Sequence, residues 1–281
     1  MAIRSIVEIE AMRAAGRVVH AALEAAARTC VAGATTAMVD AAASAEIARG
    51  GACPIFLGYP AESGLGAGVL SCFPAATCVS VNEELIHGIP GPGVLVEGDL
   101  VSIDCGASID GWCADAAITV AVRGADAGGA AALDLRRQHL VRTTSALLEM
   151  AIAAIRPGRA WSGIAAELQR AADAAGLTVV TDYVGHGIGR HLHESPEVPC
   201  HAIDPLAGRD FTLRPGMTLA IEPMLTLGSG RTRTRSDGWT VVTADGLPAA
   251  HFEHTVAVIS DGAEVLTAPP PAVASGGGTH D

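Results

Sequence analysis

The chain has 281 residues and a formal net charge of -12, with 49% hydrophobic and 17% charged residues. Proteins that bind nucleic acid generally need cationic surface to displace counterions from phosphates, so this acidity argues against a general nucleic-acid binder. Alanine and glycine supply much of the apolar content, no run of large apolar residues is long enough for a bilayer, and the cysteines, odd in number and without C-x-x-C spacing, fit reduced thiols.

The opening "MAIRSIVEIEAM" puts Arg4, Glu8 and Glu10 where a secretory leader needs an apolar block, so a cytoplasmic protein is expected. Ser5 and Glu8 form a capping box, and Ile9, Met12, Gly16, Val19 and Leu23 fall on one stripe of the helix that follows. After "VAGATT" a second helix runs through "MVDAAASAEIA" and stops at Gly50-Gly51. "DLVSID" and "ITVAV" read as strands, with "GASIDGW" between them as the turn. Leu140, Leu147, Leu148, Ala151, Ile152 and Ile155 keep helical phase until "RPG". In "GSGRTRTRSDGW", Arg231, Arg233 and Arg235 alternate, so an extended arm projects all three the same way, as a solvated hairpin face. Residues 267–281 are too rich in proline, glycine and small residues to pack, which leaves 1–266 as a single domain with a disordered tail.

The order of pieces repeats. "VAGATTAMVDAAASAEIARGG" parallels "RPGRAWSGIAAELQRAADAAG", and "HGIP" at His87 parallels "HGIG" at His186. "LVEGDLVSID" ending at Asp104 parallels "LRPGMTLAIE" ending at Glu222, and "DAAITVAV" from Asp115 parallels "EHTVAV" from Glu253. Two αβ halves packed about a pseudo-two-fold axis follow from this pattern. Carboxylates at the ends of apolar strands are disfavoured there, and four of them gathered at one interface repel unless cations sit among them. A pair of divalent metals resolves the conflict, because carboxylates chelate and bridge such ions while a histidine adds a nitrogen ligand.

"VNEELIHGIPG", "SIDCGASIDGWCAD", "GHGIGRHLHESP", "LAIEPM", "SDGWTVVTADG" and "FEHTVAV", in this order, resemble the type I methionine aminopeptidases of the short bacterial form, members of the pita-bread metallopeptidase family. The resemblance covers residues 1 to about 266. It implies an α+β, pseudo-two-fold pita-bread fold, with antiparallel sheets covered by helices and a dinuclear metal site at the centre. The implied cofactors are two divalent ions, cobalt, manganese, iron or zinc, with Asp104 and Asp115 chelating them, Glu253 bridging, and His186 and Glu222 completing the shell. The implied reaction removes the initiator methionine from nascent polypeptides and peptides with a small second residue. In it Glu222 moves the water's proton, His193 hydrogen-bonds the scissile carbonyl oxygen, and His87 meets the peptide on the leaving side. The glycines of "GHGIGRHLHE" are expected to turn the backbone so that His186 and His193 face inward, with His191 at the rim.

"ACPIFLGYP" and "ATCVS" match the family's pocket segments, which makes Cys53, Phe56, Tyr59, Cys78 and Trp239 the expected methionine pocket. Two departures stand out: the link "AESGLGAGVLSCFPA" is longer than usual, and Leu192 sits where a bulkier aromatic is usual. The three arginines suggest contact with ribosomal RNA; no membrane contact is expected, and a monomer is. Xaa-Pro peptidases and creatinase-like hydrolases share the fold and most ligands, but usually carry a separate N-terminal domain, whereas the catalytic pattern here begins near Ser5. A partner-binding module on this fold would lose ligands, and all five are present.

Overall fold

Ser5 caps the first helix as the sequence predicts: its hydroxyl accepts the Glu8 N–H, and the Glu8 carboxylate accepts the Ser5 N–H at 2.7 Å. In the computed structural model, which describes residues 2–61, 71–124, 134–208 and 210–269, the helices are α1 Ile6–Thr29, α2 Thr36–Arg49, α3 Leu135–Ala154 and α4 Trp161–Ala174. The first-half strands are β1 Cys53–Pro54, β2 Thr77–Val81, β3 Glu84–Ile86, β4 Leu100–Ile109 and β5 Trp112–Ala121. The second half has β6 Thr178–Val179, β7 Gly185–Gly187, β8 Glu194–Val198, β9 Thr218–Ile221 and β10 Met224–Thr226. It continues with β11 Thr232–Thr234, β12 Val241–Thr243, β13 Ala249–His251, β14 Glu253–Val258 and β15 Ala263–Val265.

The main sheet is antiparallel and runs β1-β4-β5-β14-β9-β7-β8, with β2 also on β4 and β15 also on β14. Strands β5 and β14 pair at its centre, β4 and β9 lie outside them, and β2 and β7 outside those. That symmetry matches Asp104 with Glu222 and Asp115 with Glu253, as the internal repeat predicts. One half packs α1 and α2 on β4 and β5 through Val19, Leu23, Ile47, Val101 and Ile103. The other packs α3 and α4 on β9, β10 and β14 through Leu147, Trp161, Ile164, Leu219 and Val256. The buried stripe of α1 is the predicted one.

Three local readings need correction. The predicted turn "GASIDGW" is mostly strand: β4 and β5 stay paired out to Ile109 and Trp112, and only Asp110 (φ 51°) and Gly111 (φ 75°) turn. Asp-Gly with both φ positive is the two-residue hairpin turn whose twist matches its strands. The pairing of His87 with His186 also fails. His186 pairs Ala220, two before Glu222, and its counterpart is Ser80, which pairs Ser102, two before Asp104. His87 instead follows β3, after the chain reverses near Asn82, and takes φ 57°. Packing also runs past Leu266: Thr267 is buried and its hydroxyl meets His254 Nδ1 at 2.9 Å. The rest of the predicted tail from 270 onward, and the link at 62–70, lie outside the described residues. Among the described residues no helix is long and apolar enough to cross a membrane.

Candidate active site

Five neighbouring strands of the main sheet each bring one donor to the same face. Asp104 on β4 pairs Ala117 on β5, which pairs Glu253 on β14. Paired residues in a sheet share a face, as do residues two apart, so Asp115 joins this group. His186 on β7 pairs Ala220 on β9, and Ala220 pairs Thr255 on β14, two beyond Glu253. Glu222, two beyond Ala220, therefore lies on that face too. Ala117 and Ala220 are the spacers, and their short side chains leave the room that the donors surround.

Burial sets the electrostatics. Glu253 is 2% exposed and Asp115 4%. Removal from water, followed by mutual repulsion, pushes Asp104 and Glu253 well above the usual carboxylate range. Asp115 and Glu222 are raised as well, also chiefly by burial. Asp104 Oδ1, Asp115 Oδ1 and Glu253 Oε1 are buried with no hydrogen-bond partner. Among the described residues, no lysine or arginine lines the cavity. Unpaired buried oxygens on repelling acids call for a cation. Single donor atoms of Asp115, His186 and Glu253 lie within 4.8 Å of one another, as do those of Glu222, His251 and Glu253. This mixed oxygen and imidazole set suits a divalent transition metal. His186 is pre-oriented for it: Nδ1 meets the Gly187 carbonyl at 3.0 Å, and Nε2 lies 3.6 Å from Glu222 Oε1.

The glycines beside His186 act differently from the sequence expectation. Neither Gly185 nor Gly187 has positive φ. A Cβ on Gly185 would lie 2.4 Å from the Ala220 carbonyl oxygen, and one on Gly187 2.5 Å from that of Ser195. They admit neighbouring backbone on both sides of β7 rather than turning the chain. The next loop is held by Glu194, whose Oε1 accepts the N–H groups of Arg190 (2.9 Å) and His191 (3.1 Å) and whose Oε2 pairs with Arg4. That clamp places His193 with its ring 4.4 Å from that of His186. His193 Nδ1 is 2.7 Å from the Tyr59 hydroxyl. His191 is exposed.

The donors open onto a cavity of about 100 Å³ lined by Phe56, Tyr59, Phe73, Cys78, Leu192 and Trp239 among others. Cys78 lies there because it pairs Asp104 across β2 and β4. Cys53 does not: it pairs Ser108 on the edge strand β1 and is exposed. Phe73, at the end of the long link, replaces it, its ring 5.3 Å from that of Trp239. Phe73→Ala should raise KM for an apolar first residue about tenfold, since burying such a side chain stabilises by about 1.5–3 kcal/mol, while Cys53→Ser should leave KM unchanged. Steady-state kinetics reversing that order would remove Phe73 from the pocket.

A second cleft of about 460 Å³ adjoins, lined by His87, Tyr183, His193 and Glu222 among others. His87 and Tyr183 make an edge contact there, centroids 6.3 Å apart. Burial drives His87 down to about 4 and His251 to about 3. His251, which the sequence reading does not single out, is 2% exposed and lies 3.5 Å from Glu222 Oε2.

These shifts set the pH dependence of the metal-free protein. Raised carboxylates contribute stability that is lost as pH rises through their folded pKa, and depressed histidines contribute stability that is lost as pH falls below the unfolded value of about 6.5. The two oppose each other between about pH 4 and 6.5. Above that only the carboxylates still hold protons that the unfolded chain has shed, so stability falls. The melting temperature of metal-free protein should drop from pH 6.5 to 8.5, and a divalent ion should remove most of the slope by binding the folded state. A flat profile, indifferent to metal, would contradict this account of the site.

A pseudo-symmetric pita-bread fold with acids and imidazoles on one sheet face, at the floor of an apolar cavity, defines a metal-dependent hydrolase. Residues 10–260 match the model of metallopeptidase family M24. The chain belongs to that family and, within it, to the methionine aminopeptidases. It is 42% identical over 271 residues to methionine aminopeptidase 1 of Mycobacterium tuberculosis, covering 94% of each chain. The crystal structure of the Thermotoga maritima methionine aminopeptidase superposes with a TM-score of 0.85 at 40% identity, over 95% of this chain and 99% of that one. The prolidase of Pyrococcus furiosus, 20% identical with a TM-score of 0.68 over 95% of this chain and 66% of that one, shares the fold alone.

Proposed function

We propose that the protein removes the amino-terminal methionine from nascent proteins and peptides whose second residue is small. The observation that carries this reading is the cavity: Phe56, Phe73, Leu192 and Trp239 line the same space as all five donors, so one apolar side chain fits beside the scissile bond. An unbranched thioether suits such a pocket. In this reading Asp104, Asp115, His186, Glu222 and Glu253 hold two divalent ions, cobalt, manganese, iron or zinc. When bound, the ions supply Lewis acidity, which acidifies a water molecule and polarises the scissile carbonyl. Glu222, whose buried carboxylate has a raised proton affinity, takes the proton from water and passes it to the leaving amine. His193 donates a hydrogen bond to the carbonyl oxygen as charge develops there. His87, in the adjoining cleft, contacts the peptide beyond the scissile bond, and with Tyr183 it crowds the space for the second side chain.

The same reading has a monomer acting in the cytoplasm. Ribosome contact falls to Arg231 and Arg233, which are exposed, because Arg235 is drawn back into ion pairs with Glu83 and Glu84. Ribosome co-sedimentation unchanged in the Arg231→Ala, Arg233→Ala double variant would end that part of it. The main test is hydrolysis of Met-Ala-Ser and Ala-Pro-Ser by metal-free protein resupplied separately with manganese, cobalt, iron and zinc. Metal-dependent release of methionine from the first alone is expected. Cleavage of only the second would move the protein to the Xaa-Pro branch, and silence on both with metal bound would make it a partner-binding module.

A further inference from the structure

The donor face does not account for His251. Strand β13 ends on this residue, in the small sheet β13-β10-β6, where it pairs Met224. Its backbone is fixed to the main sheet at Thr119, whose hydroxyl accepts the His251 N–H at 2.9 Å and donates to the His251 carbonyl at 2.8 Å. The Ser102 hydroxyl completes that hydroxyl's contacts at 2.8 Å. Thr119 sits two beyond Ala117, on the donor face, so the fixing point belongs to the floor of the site. The imidazole is thereby aimed at Glu222. Nε2 is buried, has no hydrogen-bond partner and lies 3.5 Å from Glu222 Oε2, while Glu222 Oε1 lies 3.6 Å from His186 Nε2. The carboxylate lies between two imidazoles, one oxygen nearest each.

We propose that His251 is a positioning residue for Glu222, its Nε2–H donating to Oε2 so that Oε1 alone is presented on the His186 side. This rests on the hydrolase reading above. Contacts of this kind are commonly long before a site is loaded and tighten when it is. His186 lies on the Oε1 side, so a partner on the Oε2 side orients the carboxylate; because donor atoms of Glu222, His251 and Glu253 also lie within 4.8 Å of one another, the test has to separate positioning from ligation. An unheld carboxylate could rotate and offer either oxygen, at the expense of its aim at the attacking water. Outer partners that orient ligands typically change activity or metal affinity by about 10–100-fold when removed.

The test compares wild type, His251→Ala and His251→Gln, the last because a glutamine amide carries an N–H donor about as far out as imidazole Nε2. Methionine release from Met-Ala-Ser should fall about 10–100-fold in kcat for the alanine variant, with KM within about twofold, and return to within about threefold of wild type for glutamine. Cobalt absorption in the visible range is read on the same proteins and needs no turnover. Its band pattern should change in the alanine variant and be restored in the glutamine variant, with cobalt affinity there within about threefold of wild type. Unchanged kcat and spectrum in His251→Ala would overturn the proposal. Equal impairment of both variants with weakened cobalt binding would also overturn it, by making the ring nitrogen a ligand. If wild type releases no methionine yet the cobalt spectra follow the expected order, the positioning stands and the substrate reading fails. Melting temperatures of the metal-free variants separate loss of fold from loss of aim.

Discussion

Glu222→Gln is expected to lower kcat for methionine release by about 10²–10⁴-fold, toward the upper end of what one acid–base group contributes, with KM within a few fold. The substitution keeps the shape of the side chain, so Phe56, Phe73 and Trp239 still form the pocket and the first residue still binds. What is lost is the site for a proton. Glu222 lies in an environment that raises its affinity for one, by burial first of all, with the neighbouring His186 working against that rise. An amide cannot accept the proton of water or return it to the amine. Ten-thousandfold corresponds to about 5.4 kcal/mol of transition-state stabilisation, which is more than loss of a single neutral hydrogen bond supplies. Metal content is measured on the same preparation, because Asp104, Asp115 and Glu253 remain to hold ions. A kcat within tenfold of wild type, with metal bound, would remove Glu222 from proton transfer.

Much of this site is legible in the sequence because its chemistry conflicts with its local pattern. "LVSID" and "LAIE" each end an apolar strand on an acid, and an acid in that position needs a reason. The repeat then predicts that the two strands are counterparts, and the sheet order places them so. The capping box at Ser5 is legible for a similar reason, since both partners lie within one turn. What stays hidden depends on contacts between distant segments. Cys53 lies close in sequence to Phe56 and reads as pocket, but alternation on an edge strand turns it to solvent. Phe73 is separated from Tyr59 by the long link, so nothing local connects it to Trp239. His251 sits in "AAHFEH", where strand β13 ends one residue before β14 begins, and periodicity does not divide such a run. Its place is set by Thr119, which lies 132 positions earlier. The glycines beside His186 are visible, but whether they serve for turning or for close approach depends on β8 and β9.

His193→Ala is expected to reduce kcat by about 10²–10³-fold, the usual effect of removing one donor to a developing oxyanion, while the ground-state contacts that set KM stay in place. Tyr59 makes this prediction sharper. A neutral imidazole has one N–H, and the nitrogen that carries it is set by what the other nitrogen meets. The Tyr59 hydroxyl lies 2.7 Å from His193 Nδ1, and burial raises the phenol's pKa, so it keeps its O–H to donate. When that O–H donates to Nδ1 the ring proton sits on Nε2, the donor that a carbonyl oxygen needs, and this is the tautomer the proposed role of His193 requires. Tyr59→Phe should therefore lower kcat by about tenfold, one hydrogen bond's worth, by letting the ring take either tautomer. If Tyr59 acts through His193, the double variant should be no slower than His193→Ala alone, because residues that work as one unit are not additive. A full additional loss in the double variant would mean that Tyr59 contacts the substrate directly as part of the pocket wall. It would leave the orientation of His193 to the Glu194 clamp on the adjoining backbone.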